Sequence, residues 1–123
     1  MLGIGTDLVD VDRFRAVLER TPGMRDRLFT VGELAYADTS GDPARPLAAR
    51  FAAKEAALKS LGVGLGSMRF VEIEVVRHEN GRPELVLHGD AASFAATRGV
   101  SGFLVTLSHT DTLAQAVVVA SAS

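Results

Sequence analysis

The sequence of 123 residues contains no cysteine, no tryptophan and a single tyrosine. The absence of cysteine excludes disulfide bridges and thiolate metal sites, and it agrees with a reducing compartment. No apolar run reaches the length needed to cross a bilayer, and the amino terminus lacks the basic segment of a signal peptide. The net charge of −2 argues against general nucleic-acid binding. We therefore expect a cytoplasmic protein whose partners include neither a membrane nor a nucleic acid.

Hydrophobic residues make up 47% of the chain, enough for the core of one compact domain spanning residues 1–123. Thr30 and Glu33 match a capping box and predict the start of a short helix. Pro43 or Pro46 suits the first turn of a long helix that ends before Gly62. The remaining periodicities predict helices over 11–20, 24–28 and 90–99, and strands over 2–9, 70–76, 84–88, 103–108 and 113–119. We expect an α+β fold with a mostly antiparallel sheet packed on the long central helix.

Asp7 interrupts the first, otherwise apolar strand. Because side chains alternate along a strand, Asp7 shares a face with Gly3 and Gly5, which leave room beside it. Burial of a lone carboxylate is costly unless it is paired or binds a metal, so Asp7 is a candidate ligand. The alternative is that Asp7 ends the strand and caps the next helix. A dinucleotide-binding fingerprint is excluded, since no strand precedes the glycines and Leu8 occupies the third glycine position.

The long helix is apolar nearly all round, which predicts a central, buried position. It nevertheless carries four charges, Arg50, Lys54, Glu55 and Lys59, and Lys54 projects into its stripe of leucine and phenylalanine. Three cations against one anion on a buried helix indicate an anionic partner. The alternative is ordinary ion pairing on a solvated edge, which the four-residue spacing of Glu55 and Lys59 permits.

His109 follows an apolar strand and is a further candidate, although a single histidine at a strand end commonly has a structural role. The chain lacks the HExxH spacing and any Ser/His/Asp order, so zinc proteolysis and nucleophilic catalysis have no support. Glycines 62, 64 and 66 follow the end of a helix, where the dipole disfavours phosphate. They therefore do not form a phosphate-binding loop. Asn80 and Gly81 predict a hairpin connection.

Together, these stretches resemble the holo-acyl-carrier-protein synthase family. Its two signatures are a strand with two glycines and an aspartate, here residues 3–7, and a helix of the type R-F-A-x-K-E-A-x-x-K-x-x-G, here residues 50–62. Residues 80–83 and 106–110 also look like family features. The resemblance covers nearly the whole chain, and the helical signature is the more specific of the two.

The resemblance implies the phosphopantetheinyl transferase fold, assembled as a homotrimer with active sites at subunit interfaces. It also implies Mg²⁺-dependent transfer of 4′-phosphopantetheine from coenzyme A to a serine of acyl carrier protein, with release of 3′,5′-ADP, a reaction of fatty acid biosynthesis. The metal ligands would be Asp7 and Glu55, with Lys54 and His109 adding positive charge during catalysis. The residues implied for coenzyme A binding are Arg50, Lys54, Lys59, Asn80, Gly81, Arg82, Pro83 and His109.

Residues 13–27 are rich in arginine, and an acidic carrier protein would dock favourably on such a surface. The predicted docking residues are Arg13, Arg20, Arg25 and Arg27. The alternative is that these arginines only form a solvated helix face. Two other functions also remain open. One is a metal-dependent nucleotide pyrophosphohydrolase that uses the same carboxylates with water, and the other is a non-catalytic module that binds coenzyme A.

Overall fold

The computed structural model describes residues 2–122, so the two terminal residues of the predicted domain lie outside it. The chain order is strand, four helices, two strands, one helix and two strands, which confirms the predicted α+β class. The strands are β1 (Gly3–Asp10), β2 (Ile73–Arg77), β3 (Pro83–Leu87), β4 (Gly102–His109) and β5 (Leu113–Ser121). The helices are α1 (Val11–Arg20), α2 (Met24–Leu28), α3 (Val31–Ala37), α4 (Ala44–Ser60) and α5 (Gly89–Thr97).

One predicted strand begins later than expected. Residues Phe70–Glu72 form a 3₁₀ turn, and β2 starts only at Ile73. The carbonyl of Phe70 accepts hydrogen bonds from the Ile73 amide and from the Lys54 ammonium. Because this carbonyl is engaged within the turn and with α4, it is not available to a strand partner.

The described strands form two antiparallel sheets, one with the order β1-β5-β4 and the other pairing β2 with β3. In the larger sheet, β5 separates β1 from β4. One row of paired residues crosses it from Asp7 through Ala116 to Leu107. Paired residues point to the same face of a sheet, so these three side chains share the face that covers α4.

Helix α4 packs against the larger sheet as the predicted central helix. Ala52, Ala53, Ala56 and Ala57 are fully buried in it, and these small side chains allow the strands to approach closely. The approach is closest at Gly3 and Gly5, where a β-carbon would collide with the carbonyl oxygens of Ser60 and Ala56. The small residues of both elements thus set the distance between β1 and α4, which positions Asp7 against the helix.

The caps of α1 and α3 decide whether Asp7 caps a helix and whether the predicted capping box forms. The side chain of Asp10 accepts a hydrogen bond from the Arg13 amide and caps α1. Asp7 therefore does not cap this helix, and that alternative is wrong. The predicted capping box is confirmed, because Thr30 and Glu33 exchange both side-chain-to-backbone hydrogen bonds at the start of α3.

The face of the larger sheet that points away from α4 is apolar and exposed. Leu2, Ile4, Leu8 and Leu104 on this face are between 54% and 67% exposed. Val119 of β5 pairs with both Ile4 and Leu104, which makes the patch continuous across the three strands. Apolar patches of this kind commonly mark contacts between proteins. Within residues 2–122, no helix is long and apolar enough to cross a membrane.

Candidate functional site

The first site, here called the carboxylate cluster, consists of Asp7, Glu55 and Lys59. Asp7 comes from β1, and the other two lie one turn apart on the same side of α4. The Lys59 ammonium donates to the carbonyl oxygen of Thr6 at 2.9 Å and to Asp7 Oδ1 at 3.1 Å. The Asp7 side chain is 14% exposed and that of Lys59 is 53% exposed. The cluster therefore lies at the surface, where a ligand can reach it.

Two carboxylates and one ammonium leave this cluster with an excess of negative charge. Partial burial raises the pKa of the Glu55 carboxyl above its ordinary value, the Asp7 carboxylate raises it further, and Lys59 opposes both. A divalent cation would relieve this repulsion, and carboxylate oxygens are the ligands that Mg²⁺ prefers. The residues therefore fit the predicted metal. Residues 2–122 contain no group of three or more potential metal ligands, so substrate and water would complete the coordination.

Lys54 lies in the core and is not available to a phosphate. Its ammonium is fully buried and donates to Glu33 Oε1 at 2.7 Å and to the Phe70 carbonyl at 2.8 Å. Burial lowers the pKa of this ammonium, and the Glu33 carboxylate opposes the effect. The anionic partner that the sequence required for Lys54 is thus Glu33 of the same chain. The prediction that Lys54 contacts coenzyme A and the reacting groups is wrong for this reason.

The second site is a cavity of about 580 Å³ between α3, α4, the β2–β3 connection and β4. We call it the basic cavity, because three arginines and one histidine line it: Arg45, Arg50, Arg77 and His109. Gly81 and Pro83 line it as well. The structure therefore brings together four of the residues that the sequence assigned to coenzyme A.

Arg50 is the most deeply placed cation of the basic cavity. It is 4% exposed, and its guanidinium lies over the ring of Tyr36 with Cζ 4.4 Å from the ring centroid. Its Nη1 donates a long hydrogen bond of 3.4 Å to the Pro46 carbonyl. Its buried Nε has no hydrogen-bond partner among the described residues. Arg50 therefore retains one buried donor without a partner in the described part of the chain.

The β2–β3 connection is longer than a two-residue hairpin. It spans residues 78–82, and Gly81 adopts a positive φ of 88° that glycine tolerates best. Asn80 accepts a hydrogen bond from the Arg82 amide at 3.0 Å, so its side chain shapes the loop. Neither Asn80 nor Arg82 lines the basic cavity, unlike Gly81 and Pro83. Direct contacts of Asn80 and Arg82 with a nucleotide therefore remain predictions.

The two sites occupy opposite edges of the larger sheet. Leu107 of β4 lines the basic cavity, whereas Asp7 lies on β1 at the other end of the same row. Two strand spacings, roughly 10 Å, separate these strands. Neither Asp7, Glu55 nor Lys59 lines the cavity. The residues that the sequence analysis assigned to one site therefore lie in two separate sites.

The predicted docking arginines differ in their surroundings. Arg13, Arg20 and Arg27 are exposed, and none of them forms an ion pair with a described residue. Arg25 instead donates to both carboxylate oxygens of Asp38, at 2.8 and 2.9 Å. The charge of Arg25 is therefore largely balanced within the chain, whereas the other three remain available to an acidic partner.

Among the charged and aromatic residues that line the basic cavity, Tyr36, Arg45 and Arg77 were not predicted from the sequence. They come from α3, from the start of α4 and from the end of β2, and no sequence spacing connects them. The one sequence signal for them was the position of Arg77. It is the last residue of β2, directly before the connection that was expected to lie near the nucleotide.

Known proteins resemble this chain over nearly its whole length. The family model of the 4′-phosphopantetheinyl transferase superfamily matches residues 3–118. A holo-[acyl-carrier-protein] synthase of Clavibacter michiganensis subsp. michiganensis is 49% identical over 117 residues, covering 95% of this chain and 92% of the relative.

Two solved structures extend this similarity to the fold. The holo-[acyl-carrier-protein] synthase of Neisseria meningitidis superimposes with a TM-score of 0.90 at 31% identity, covering 98% of both chains. The synthase of Helicobacter pylori, solved in complex with coenzyme A, gives a TM-score of 0.84 at 27% identity, covering 96% of this chain and 99% of that one. The prediction from the two sequence signatures is therefore confirmed, and the chain belongs to the 4′-phosphopantetheinyl transferase superfamily.

Proposed function

We propose that this chain is a holo-acyl-carrier-protein synthase, which transfers 4′-phosphopantetheine from coenzyme A to a serine of apo acyl carrier protein. The observation that carries the proposal is the carboxylate cluster. Asp7 and Glu55 are held close enough to raise the pKa of Glu55, and the ammonium of Lys59 lies beside them at the surface. Such an arrangement suits a reaction at a phosphoanhydride, which needs charge stabilisation more than covalent catalysis.

In this reaction the serine oxygen of the carrier forms a bond to the pantetheine-side phosphorus of coenzyme A. The bond between that phosphorus and the bridging oxygen breaks, and 3′,5′-ADP leaves with the bridging oxygen. The serine proton must pass to a base. A carboxylate oxygen of Glu55 that does not bind the metal could accept it.

Asp7 and Glu55 are the residues that would hold Mg²⁺. The cation, when bound, supplies charge neutralisation at the pyrophosphate. The ammonium of Lys59 takes the role first expected of Lys54, since it is exposed and can turn from Asp7 towards a phosphate oxygen. Fixed positive charge at this position stabilises the charge that develops on the phosphoryl group.

The basic cavity would hold the nucleotide end of coenzyme A. Arg50 and His109 both line it, and neither Arg50 nor Arg77 has a carboxylate at ion-pair distance among the described residues. The division of the site between two edges of the sheet supports a homotrimer with active sites at subunit interfaces. The exposed apolar face around Ile4 and Leu104 supports such an assembly, because it adjoins both edges.

The carrier would dock on α1 and α2, where Arg13, Arg20 and Arg27 form no ion pair with any of residues 2–122. Arg13 belongs to the first turn of α1, directly after the strand that carries Asp7. A carrier bound there would place its serine near the carboxylate cluster. Complementary charge at this surface would accelerate encounter and orient the carrier.

One assay distinguishes this function from both alternatives. The protein is incubated with coenzyme A, Mg²⁺ and an apo carrier, and the intact mass of the carrier is measured. We expect a mass increase of one phosphopantetheine group and equimolar 3′,5′-ADP. Free phosphopantetheine with unmodified carrier would instead support a pyrophosphohydrolase. The absence of any product, with coenzyme A bound, would support a non-catalytic binding module.

A further inference from the structure

Tyr36 connects two cations of the basic cavity. The guanidinium carbon of Arg50 lies 4.4 Å from the centre of the Tyr36 ring, and that of Arg77 lies 5.5 Å from it. Guanidinium groups are attracted to the face of an aromatic ring at such distances. The three side chains come from α4, β2 and α3, so the ring is the point at which these elements hold two positive charges together.

These two arginines differ from their neighbour Arg45. Arg45 forms ion pairs with Asp42 and Asp111, so its charge is balanced within the chain. Arg50 and Arg77 have no carboxylate at ion-pair distance among residues 2–122. Burial lowers the pKa of the Arg50 guanidinium, Glu33 and Tyr36 oppose this effect, and the charge of Arg77 adds to it. Glu33 is itself paired with Lys54, so the two guanidinium groups gathered at one ring form a site that attracts an anion.

Two further features accompany this pair of arginines. The buried Nε of Arg50 has no acceptor among residues 2–122, and an unsatisfied buried donor is unfavourable. At the β2–β3 connection, a β-carbon on Gly81 would lie 3.3 Å from Nη2 of Arg77. The bare backbone of this glycine therefore leaves room for the Arg77 guanidinium beside the cavity.

We propose that Tyr36 is a positioning residue for coenzyme A, whose ring holds Arg50 and Arg77 as a pair that binds the 3′-phosphate. The inference rests on the proposed function. The pyrophosphate of coenzyme A must reach the carboxylate cluster, where its bond breaks, so the 3′-phosphate is the group left for the basic cavity. This phosphate monoester carries a charge of about −1.5 to −2, which matches two guanidinium groups.

The test compares two substitutions of one residue. Tyr36→Leu removes the ring, and we expect the KM for coenzyme A to rise about threefold to tenfold while kcat changes little. Tyr36→Phe retains the ring, and its KM for coenzyme A should equal that of the wild type. Phe94→Leu is the matched control, because it removes another aromatic ring beneath an arginine, Arg98 at 4.6 Å, outside the cavity. This control should leave the KM unchanged.

The same measurements with 3′-dephospho-coenzyme A identify the phosphate. We expect wild type and Tyr36→Leu to have the same KM for this substrate, and Arg77→Met to reproduce the selective loss for coenzyme A. An equal rise of both KM values, or no rise for coenzyme A, would overturn the inference. If the wild type transferred nothing to a carrier, the proposed function would fail. Calorimetric titration of wild type and Tyr36→Leu with coenzyme A and with 3′-dephospho-coenzyme A would then still decide the role of Tyr36, since it measures the two dissociation constants directly.

Discussion

The buried ion pair of Lys54 and Glu33 tests whether Lys54 stabilises the fold or takes part in the reaction. We consider Lys54→Met, which keeps a side chain of similar length and removes the ammonium. Glu33 would remain buried and would still accept from the amides of Thr30 and Val75, but it would lose its only cation at ion-pair distance among the described residues. The Phe70 carbonyl would lose its donor from α4 as well.

Removing one partner of a buried ion pair costs about 3–5 kcal/mol, because an uncompensated charge remains in the core. Domains of this size are stable by about 5–15 kcal/mol in total. The melting temperature should therefore fall by roughly 10–20 °C. In the double variant Lys54→Met/Glu33→Gln, the remaining charge is also removed. We expect this variant to recover at least about 1 kcal/mol relative to Lys54→Met.

Lys59→Met is the matched control, since Lys59 lies on the same helix but is 53% exposed. Its ion pair with Asp7 should contribute less than about 1 kcal/mol to stability. Urea unfolding measures stability, and carrier modification at 15 °C or a similarly low temperature measures activity. We expect Lys54→Met to be unstable but active where it is folded, and Lys59→Met to be stable with a strongly reduced kcat. A stable, inactive Lys54→Met would refute this reasoning and return Lys54 to the reaction.

Three further predictions concern the metal, the assembly and the carrier. Asp7→Ala and Glu55→Ala should each abolish transfer without loss of fold, measured as activity across Mg²⁺ concentrations and by circular dichroism. Near wild-type activity at low Mg²⁺ would contradict the metal assignment. Leu104→Arg should dissociate the proposed trimer in light scattering and reduce activity, whereas a monomeric wild type that is fully active at nanomolar protein would exclude the trimer. Arg13→Glu should raise the KM for the carrier and flatten its salt dependence, with the KM for coenzyme A unchanged; unchanged carrier kinetics across salt concentrations would refute the docking surface.

The sequence by itself determined the elements of the fold and the family. Helix α1 begins and ends where its apolar spacing predicts, and the capping box of Thr30 and Glu33 is present as expected. These features are local, because they depend on side chains a few residues apart. The same holds for Asp7, whose position on a face cleared by glycines follows from the alternation of a strand.

Only the tertiary structure decided which charges are buried together and which remain exposed. Helical spacing placed Lys54 in an apolar stripe, but its partner Glu33 comes from another helix, and their contact depends on how α3 packs against α4. The meeting of Tyr36, Arg50 and Arg77 likewise joins three elements that are distant in sequence. A periodic pattern assigns a side chain to a face of its own element, whereas the group opposite that face depends on the packing of the whole chain.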